Sequence, residues 1–460
     1  MKNQSAEHRE APGLAVHVAE PGTRSVVSRV RCQIERDVAF STESLESYFF
    51  SAWKPEAYDA LLVAAAIEFA DKSLRRPAYY WHRSFDLRIP VHDVERWQQP
   101  PVVAALRGAL EYLTGDSWQI AFYGRRRQED RPRQSSFELP SNVQAVIPFS
   151  NGLDSRMVAG LMERSMKDSL VRVRLAAGLQ ESEGLKGHRF AFTNVPYRVG
   201  GDSVESSARS RGFKFALISG IAACLSGAKQ IVVPESGQGA LGPSLVPVGQ
   251  TYDDYRSHPA FTRKMERLLK ALFGVDVEFV FPQLWQTKAE TLRRFIEECG
   301  DPSWTGTRSC WQQSRQVGLN GRRRQCGICA ACMLRRMSVH AAAADEPQDQ
   351  YVWERLDVAT FEDGVADGFT ADRITKKMRE YAIAGTLHLD HLAALRHASS
   401  SASHLNVPAL HLSQALGLDR AEVRQRLDRL IAQHATEWCG FVSSLGEESF
   451  VADWAVEKAS

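Results

Sequence analysis

The chain has 460 residues, with 57 Lys plus Arg against 55 Asp plus Glu and a hydrophobic fraction of 44%. This length predicts two or three domains, and the hydrophobic fraction is ordinary for a soluble protein with a buried core. The near-neutral charge argues against a general nucleic-acid binder, which usually carries a strong basic excess. The polar start lacks the apolar segment of a secretory signal, and no apolar run has the length of a transmembrane helix, so we expect a cytoplasmic protein without membrane partners.

The first 140 residues predict an α+β accessory domain that ends in a linker. Apolar residues alternate with polar ones in three short stretches, and two longer apolar stretches have the length of helices. The predicted strands are residues 30–34, 85–91 and 118–122, and the predicted helices are residues 57–74 and 102–113. Pro90 predicts that the second strand lies at a sheet edge, because proline cannot donate to a strand ladder. Residues 124–136 are charged, which indicates a solvated connector or, alternatively, a docking patch.

Residues 141–345 predict an α/β domain built on a parallel sheet. Strand and helix patterns alternate in this part of the chain, which is the rhythm of βαβ units. The predicted strands are residues 143–149, 170–175 and 230–234, and the predicted helices are residues 156–166 and 213–225.

Residues 346–460 predict a C-terminal helical region. The small residues 399–403 indicate a linker, and apolar residues on both sides of Gly417 predict two short helices. The pair is a helical hairpin that closes a domain or, alternatively, a helix-turn-helix whose arginines contact phosphates. The candidate arginines are Arg420, Arg424 and Arg426. One such pattern is weak evidence, so we do not expect nucleic acid as a partner.

A six-residue loop between a predicted strand and a predicted helix suits a phosphate. Its residues are Ser150, Asn151, Gly152, Leu153, Asp154 and Ser155. At such a junction, backbone N–H groups and the helix N-terminus point at an anion. Gly152 allows close approach, the two serines can donate hydroxyl hydrogen bonds, and Asp154 could orient the loop or help to hold Mg²⁺. A purely structural turn is the alternative.

Four cysteines predict a closed metal site. They are Cys310, Cys326, Cys329 and Cys332. The last three have spacing that can converge on one ion, and Cys310 can supply the fourth ligand, which is typical of structural zinc. An iron–sulfur cluster and unligated buried cysteines are the alternatives. The arginines at 322–324 predict solvated surface, while Arg335 is an alternative candidate for a phosphate or substrate contact.

Together these motifs resemble the QueC family, the 7-cyano-7-deazaguanine synthases, over roughly residues 143–340. The loop resembles the family's PP-loop, SGGxDS, with Asn151 in place of a glycine. Residues 282–290, PQLWQTKAE, resemble the family's PLIxLTKAE segment, and the cysteine segment resembles its SCY…CGxCxxCxxR pattern. Residues 254–262, DYRSHPAFT, are the counterpart of the family's DYSGYPDCR segment. Departures from the family include Gly212 in place of an asparagine and Ala260 in place of an aspartate.

The resemblance implies a Rossmann-like PP-loop domain that uses ATP, Mg²⁺ and Zn²⁺. The implied enzyme is an ATP-dependent carbon–nitrogen ligase that adenylates the carboxylate of a 7-carboxy-7-deazaguanine-like small molecule and then forms an amide. Asp154, Lys288 and Arg211 are the implied catalytic residues, with surface salt bridges as the alternative for Lys288 and Arg211.

Longer QueC-like proteins of bacterial antiviral cassettes imply a protein amine as the acceptor. Extra domains flank the resemblance on both sides here, which fits that type. Two alternatives stay open, namely the synthase reaction with ammonia and a non-catalytic nucleotide-binding or nucleic-acid-binding module.

Overall fold

The computed structural model describes residues 11–24, 26–39, 55–76, 82–126, 142–175, 192–195, 198–201, 203–205, 209–249, 252–312 and 314–456. Most of the predicted linker, residues 124–136, lies outside the described residues. Among the described helices, none combines the length and the apolar character that crossing a membrane requires.

The N-terminal part is a sheet of four parallel strands in the order β2-β1-β4-β5. The strands are β1 (Gly13–Ala19), β2 (Val30–Gln33), β3 (Val38–Ala39), β4 (Ser84–Val91) and β5 (Ser117–Gly124), of which β3 lies outside this sheet. The helices are α1 (Pro55–Ser73), α2 (Val94–Trp97) and α3 (Pro100–Thr114). The prediction of an α+β arrangement here is wrong, because α1 and then α2 with α3 cross over between strands and make the pairings parallel.

The prediction that Pro90 marks an edge strand is also wrong. Strand β4 lies between β1 and β5. It pairs with β5 along its whole length, but its pairing with β1 ends at Arg88. Proline is tolerated because it stands beyond the last residue that β1 pairs with.

The central part is a second parallel sheet, of five strands in the order β11-β10-β6-β7-β8. The strands are β6 (Ala145–Pro148), β7 (Leu170–Leu175), β8 (Phe192–Val195), β10 (Gln230–Val232) and β11 (Glu278–Val280), while β9 (Arg198–Val199) pairs with β3. The helices are α4 (Leu153–Met166), α5 (Arg211–Ser226), α6 (Gly237–Ala240), α7 (Gly242–Leu245), α8 (Pro259–Phe273) and α9 (Lys288–Cys299). The α/β fold class and the parallel sheet are therefore confirmed.

The two sheets share one hydrophobic core. Helix α1 packs against α5, and α3 packs against α8, so helices of the second sheet contact helices of the first. The side chain of Lys214 on α5 also donates to Glu68 on α1 over 2.7 Å. The predicted domain boundary near residue 140 therefore crosses a continuous core, and the division of the chain into three domains stays a prediction.

The C-terminal part is helical, as predicted, and packs on the central part. Its elements and those of the preceding cysteine segment are α10 (Ser314–Val317), β12 (Gly318–Leu319), β13 (Arg322–Arg323), α11 (Ala330–Ala341), α12 (Lys376–Ala394), α13 (Ala398–Leu416), α14 (Arg420–Leu445) and α15 (Phe450–Trp454). The predicted linker at 399–403 is wrong, since these residues form the first turns of α13. Their Ser and Ala side chains permit helix, and only their small size suggested a linker.

Helix α14 is too long for the second of two short helices, with 26 residues. It packs along α11, α12 and α13, which supports the hairpin that closes a domain. Arg424 forms a salt bridge with Asp428, and Arg426 forms one with Glu422. Two of the three candidate arginines are thus already paired within their own helix, which weakens the helix-turn-helix alternative.

Candidate active site

A cavity of about 610 Å³ opens at the carboxyl ends of the second sheet. The chain runs from β6 to β7 on one side and places β10 on the other side of β6. Such a reversal of strand order is where parallel α/β sheets bind ligands. The six-residue loop follows β6 and Glu235 follows β10, so both stand at this crevice and line the cavity.

The loop is held by its own two serines. The Ser155 hydroxyl donates to the carbonyl oxygen of Ser150 over 2.9 Å, and the Gly152 N–H donates to the Ser150 hydroxyl over 3.1 Å. Helix α4 begins directly afterwards, and no side chain caps its first turn. The N–H groups of that turn remain donors for an anion in the cavity.

Two other residues of the loop, Leu153 and Asn151, hold it in place. Leu153 is fully buried against α9, so only its backbone can face a ligand. Asn151, which replaces the family's glycine, accepts a hydrogen bond at its side-chain oxygen from Arg174 over 3.2 Å. Its carbonyl accepts from the Arg308 N–H over 2.7 Å. The loop is therefore tied to β7 and to the segment that leads into the cysteines.

Two of the predicted catalytic residues meet in the cavity wall. The Lys288 ammonium forms a short salt bridge with Oδ2 of Asp154, and the exposed fractions of the two side chains are 6% and 18%. The other oxygen, Oδ1 of Asp154, is buried and has no hydrogen-bond partner among the residues that the structure describes. The alternative of a surface salt bridge for Lys288 does not fit a pair so deeply placed.

Lys288 is positioned by the start of its helix. Thr287 caps α9 in a capping box with Glu290, and its hydroxyl also donates to Glu437 of α14 over 2.6 Å. The backbone N–H of Lys288 donates to the side-chain oxygen of Gln238 over 2.7 Å. These contacts fix the first turn of α9, and the lysine is therefore oriented from its backbone outward.

A chain of hydrogen bonds continues from Gln238 into the C-terminal helices. The Gln238 amide nitrogen lies 2.9 Å from Nδ1 of His434, and Nε2 of His434 lies 2.9 Å from the carbonyl oxygen of Leu389. A carbonyl only accepts, so Nε2 carries the proton and Nδ1 accepts from Gln238. Burial lowers the pKa of His434 to about 4, which keeps this tautomer neutral.

Glu235 adds a second carboxylate beside Asp154. Burial and the charge of Asp154 raise the pKa of Glu235 to about 7. A Cβ at Gly239 would lie 2.4 Å from a carboxylate oxygen of Glu235, so glycine there leaves room for the carboxylate in this position. Two carboxylates that disfavour each other's charge are a natural place for a cation.

Arginines line much of the remaining wall. Arg211, Arg256 and Arg308 all face the cavity. Arg211 stacks on the ring of Phe215 at 5.4 Å and forms no hydrogen bond or salt bridge with any residue that the structure describes. Its positive charge is therefore available to an anionic ligand, and the surface salt bridge considered as its alternative is absent among those residues.

The two family departures have different surroundings. A Cβ at Gly212 would lie 2.7 Å from Cβ of Arg256 and 2.9 Å from its Cα, atoms that a serine at this position would also have, so the close approach of the two backbones requires glycine here. Arg256 occupies the position of a serine in the family's DYSGYPDCR segment. Its side chain lines the cavity and forms a salt bridge with Asp254. Ala260 instead donates its N–H to His258 over 3.1 Å.

The four cysteines form one compact cluster. Their sulfur atoms all lie within 4.8 Å of one another, and those of Cys326 and Cys332 are 3.8 Å apart. Zinc–sulfur bonds of about 2.3 Å in a tetrahedron place two sulfurs about 3.8 Å apart. The cluster thus fits a single zinc ion, whereas an iron–sulfur cluster would spread its thiolates over several irons. Hydrogen bonds from the other cysteines lower the pKa of Cys310.

The backbone around the four cysteines supports their compact arrangement. Gly327 has φ of +86°, and a Cβ there would lie 2.7 Å from the carbonyl oxygen of Trp353. The N–H groups of Cys329 and Gln312 donate to cysteine sulfurs over 3.3 Å, which favours thiolates. Arg335 is fully buried and bonds Glu346 and Thr307, so the alternative that it contacts phosphate or substrate is wrong.

The donor sets fit the expected cofactors. The loop N–H groups and hydroxyls suit phosphates, the four sulfurs suit zinc, and the unpartnered Oδ1 of Asp154 with the carboxylate of Glu235 suits Mg²⁺. Cys310 also lines the cavity. The cysteine cluster therefore contributes to the wall of the cavity.

Comparison with known proteins places the chain. Residues 244–343 match the family model of the queuosine biosynthesis protein QueC. This segment of the chain is similar to QueC. The matched segment contains Lys288 and the four cysteines, while the PP-loop precedes it. No curated protein matches the chain significantly. The QueC match supports an ATP-using enzyme, and the cysteine cluster fits its zinc site.

Sequence reasoning missed several residues that the structure brings to this site. Glu235, Gln238, Arg256 and His388 all line the cavity. Glu235 and Gln238 carried a weak signal, because they follow a predicted strand end as the PP-loop does. His388 carried none, since it belongs to a helix more than 50 residues after the cysteines.

Proposed function

We propose that this protein adenylates the carboxylate of a 7-deazaguanine acid and then transfers the acyl group to a protein amine in antiviral defence. The observation that carries the proposal is the pair of Lys288 and Asp154 at the PP-loop, inside a cavity lined by further cations. A wall with several cations suits the phosphates of ATP and the carboxylate of a substrate bound beside them. The QueC match supports the deazaguanine.

In this reaction the substrate carboxylate attacks the α-phosphorus of ATP, and pyrophosphate leaves. The N–H groups at the start of α4 and the Ser150 hydroxyl would stabilise the departing pyrophosphate, while the Ser155 hydroxyl holds the loop through the Ser150 carbonyl. Lys288 and Arg211 supply positive charge, and Mg²⁺ held by Asp154 and Glu235 would offset charge on the phosphates when bound. An acyl-adenylate results, and an amine displaces AMP to give the amide.

The substrate end of the cavity differs from that of the family, which favours an acceptor other than ammonia. Arg256 replaces a serine, and Gly212 replaces an asparagine, so the side-chain amide of the family is gone. Trp311 stands in the wall with 51% of its surface exposed. An exposed aromatic side chain at the mouth suits contact with a peptide.

The experiment is product analysis. Purified protein with ATP and 7-carboxy-7-deazaguanine should release pyrophosphate, and release should need both compounds. Mass spectrometry with ammonium alone should find little nitrile, whereas a partner protein should gain an amide-linked deazaguanine on a terminal or lysine amine. Efficient formation of 7-cyano-7-deazaguanine by the chain alone would favour the biosynthetic reaction. Absence of acid-dependent pyrophosphate release would favour a non-catalytic nucleotide-binding module.

A further inference from the structure

Helix α12 places one histidine in the wall of the cavity, from outside the segment that matches QueC. The side chain of His388 is buried, with 6% of its surface exposed, and it lines the cavity together with Leu389 of the same helix. The wall beside it comes from Pro243 and Val248. The C-terminal region therefore contributes a titratable group to a site that the family segment otherwise forms.

The hydrogen bonding of His388 fixes its tautomer. Nδ1 lies 2.8 Å from the carbonyl oxygen of Val246, which can only accept, so Nδ1 carries the proton. Nε2 therefore has a lone pair, and it makes no hydrogen bond with any residue that the structure describes. A Cβ at Gly242 would lie 3.7 Å from Nε2, in ordinary van der Waals contact, so the nitrogen lies close to this glycine.

The surroundings of His388 keep the imidazole neutral. Burial, with smaller effects from His434 on α14 and His391 on its own helix, lowers its pKa to about 4. The arginines of the wall have no lone pair that could accept a proton. Glu235, whose pKa is about 7, is the other possible base, but it lies beside Asp154 and Lys288 at the PP-loop, where its carboxylate suits Mg²⁺.

We propose that Nε2 of His388 accepts the proton of the acceptor amine during acyl transfer. The proposal rests on the proposed function. The amine nitrogen attacks the acyl carbon, a C–N bond forms, and the bond between that carbon and the AMP oxygen breaks, so AMP leaves with the electron pair. One N–H proton moves to Nε2. The attacking nitrogen becomes strongly acidic as its bond to carbon forms, so a weak base in position suffices.

The test separates the two half-reactions in His388→Gln. Adenylation is measured as ATP–pyrophosphate exchange that depends on 7-carboxy-7-deazaguanine. Acyl transfer is measured as single-turnover aminolysis of the preformed acyl-adenylate, with glycinamide as the model amine. We expect exchange and the KM for the acid to stay within about two-fold, and aminolysis to fall by about 10²-fold. Hydroxylamine is unprotonated at neutral pH and strongly nucleophilic. The rate of acyl transfer to hydroxylamine should therefore fall much less in His388→Gln than the rate with glycinamide.

Matched variants and outcomes decide the proposal. His391→Gln changes an exposed histidine of the same helix and should leave both half-reactions unchanged. Unchanged melting temperature in both variants excludes misfolding. Parallel loss of exchange and aminolysis, or a raised KM for the acid, would make His388 a binding residue and overturn the proposal, as would unchanged aminolysis. Absence of exchange in the unaltered protein would instead overturn the proposed function, and this inference with it.

Discussion

The two parallel sheets of this protein have the same kind of strand-order reversal. They differ in whether the acidic side chains near their strand ends have hydrogen-bond partners in the protein. In the N-terminal sheet, Glu20 follows β1 and accepts from the Arg126 N–H over 3.0 Å. His92 follows β4 and bonds the fully buried Asp59 over 2.7 Å. Strand ends of the second sheet instead leave Oδ1 of Asp154 without a partner among the described residues.

A reversal of strand order alone therefore does not make a ligand-binding site. Both reversals offer a crevice at the carboxyl ends of strands. In the N-terminal sheet, protein groups already pair the acidic side chains, so these contacts add to stability. In the second sheet, Oδ1 of Asp154 and the Arg211 guanidinium have no hydrogen-bond partner among the described residues, which costs stability, and binding a charged ligand would recover that cost.

The largest effect should come from removing the metal that shapes the second site. Cys329→Ser leaves three thiolates, and because a closed four-thiolate site contributes folding free energy directly, we expect loss of the ion and of several kcal/mol of stability. Metal analysis and urea unfolding measure both. Cys439→Ser, a buried cysteine outside the cluster, is the control that should keep one zinc per chain. Retention of zinc by the first variant would contradict the assignment.

Next in size is the loss of the Asp154 carboxylate. Asp154→Asn removes the charge that pairs with Lys288 and suits Mg²⁺, so the rate of pyrophosphate release should fall by about 10²-fold. Asp59→Asn is the matched change in the N-terminal sheet, where the carboxylate bonds His92. It should lower the melting temperature but not the rate per folded molecule. Equal loss of rate in both variants would remove the distinction between the sheets.

A smaller effect should appear as acid sensitivity of the second half of the chain. Burial lowers the pKa values of His258, His388 and His434 to about 4. The folded state prefers the neutral rings, so stability is full above about pH 6.5 and falls as pH decreases toward 4. At pH 5 each buried ring should have cost about 2 kcal/mol. Urea unfolding at pH 7.5 and 5 should change less in His434→Gln, and an identical change would refute this origin.

The smallest expected effect concerns the orientation of Lys288. Thr287→Val removes the cap of α9 and its bond to Glu437, so stability should fall by about 1 kcal/mol and the rate by about ten-fold. Thr375→Val removes the equivalent cap of α12 and should cost similar stability with no change in rate. A rate loss in both variants would mean that capping acts only through overall stability.

Local sequence patterns predicted much of the second sheet and of its loop. Each of these patterns involves residues that are close together in the chain, namely the strand before Ser150, the helix after it and the spacing of the cysteines. Such patterns depend mainly on the backbone conformation of neighbouring residues. The N-terminal sheet was harder, because alternation of apolar residues is the same in parallel and antiparallel strands. Pro90 misled for a related reason, since its tolerance depends on where the neighbouring strand β1 ends.

Local patterns in the sequence were enough to predict the loop that resembles a PP-loop, the cluster of four cysteines and the α/β fold class. Only the tertiary structure decided that Asp154 meets Lys288, and that the C-terminal helices supply His388 and the support behind Gln238. It also revealed that the backbone at Arg256 approaches Gly212 so closely that only glycine fits there. These contacts join residues far apart in the chain, and their partners are selected by packing and burial of the whole fold rather than by any local preference.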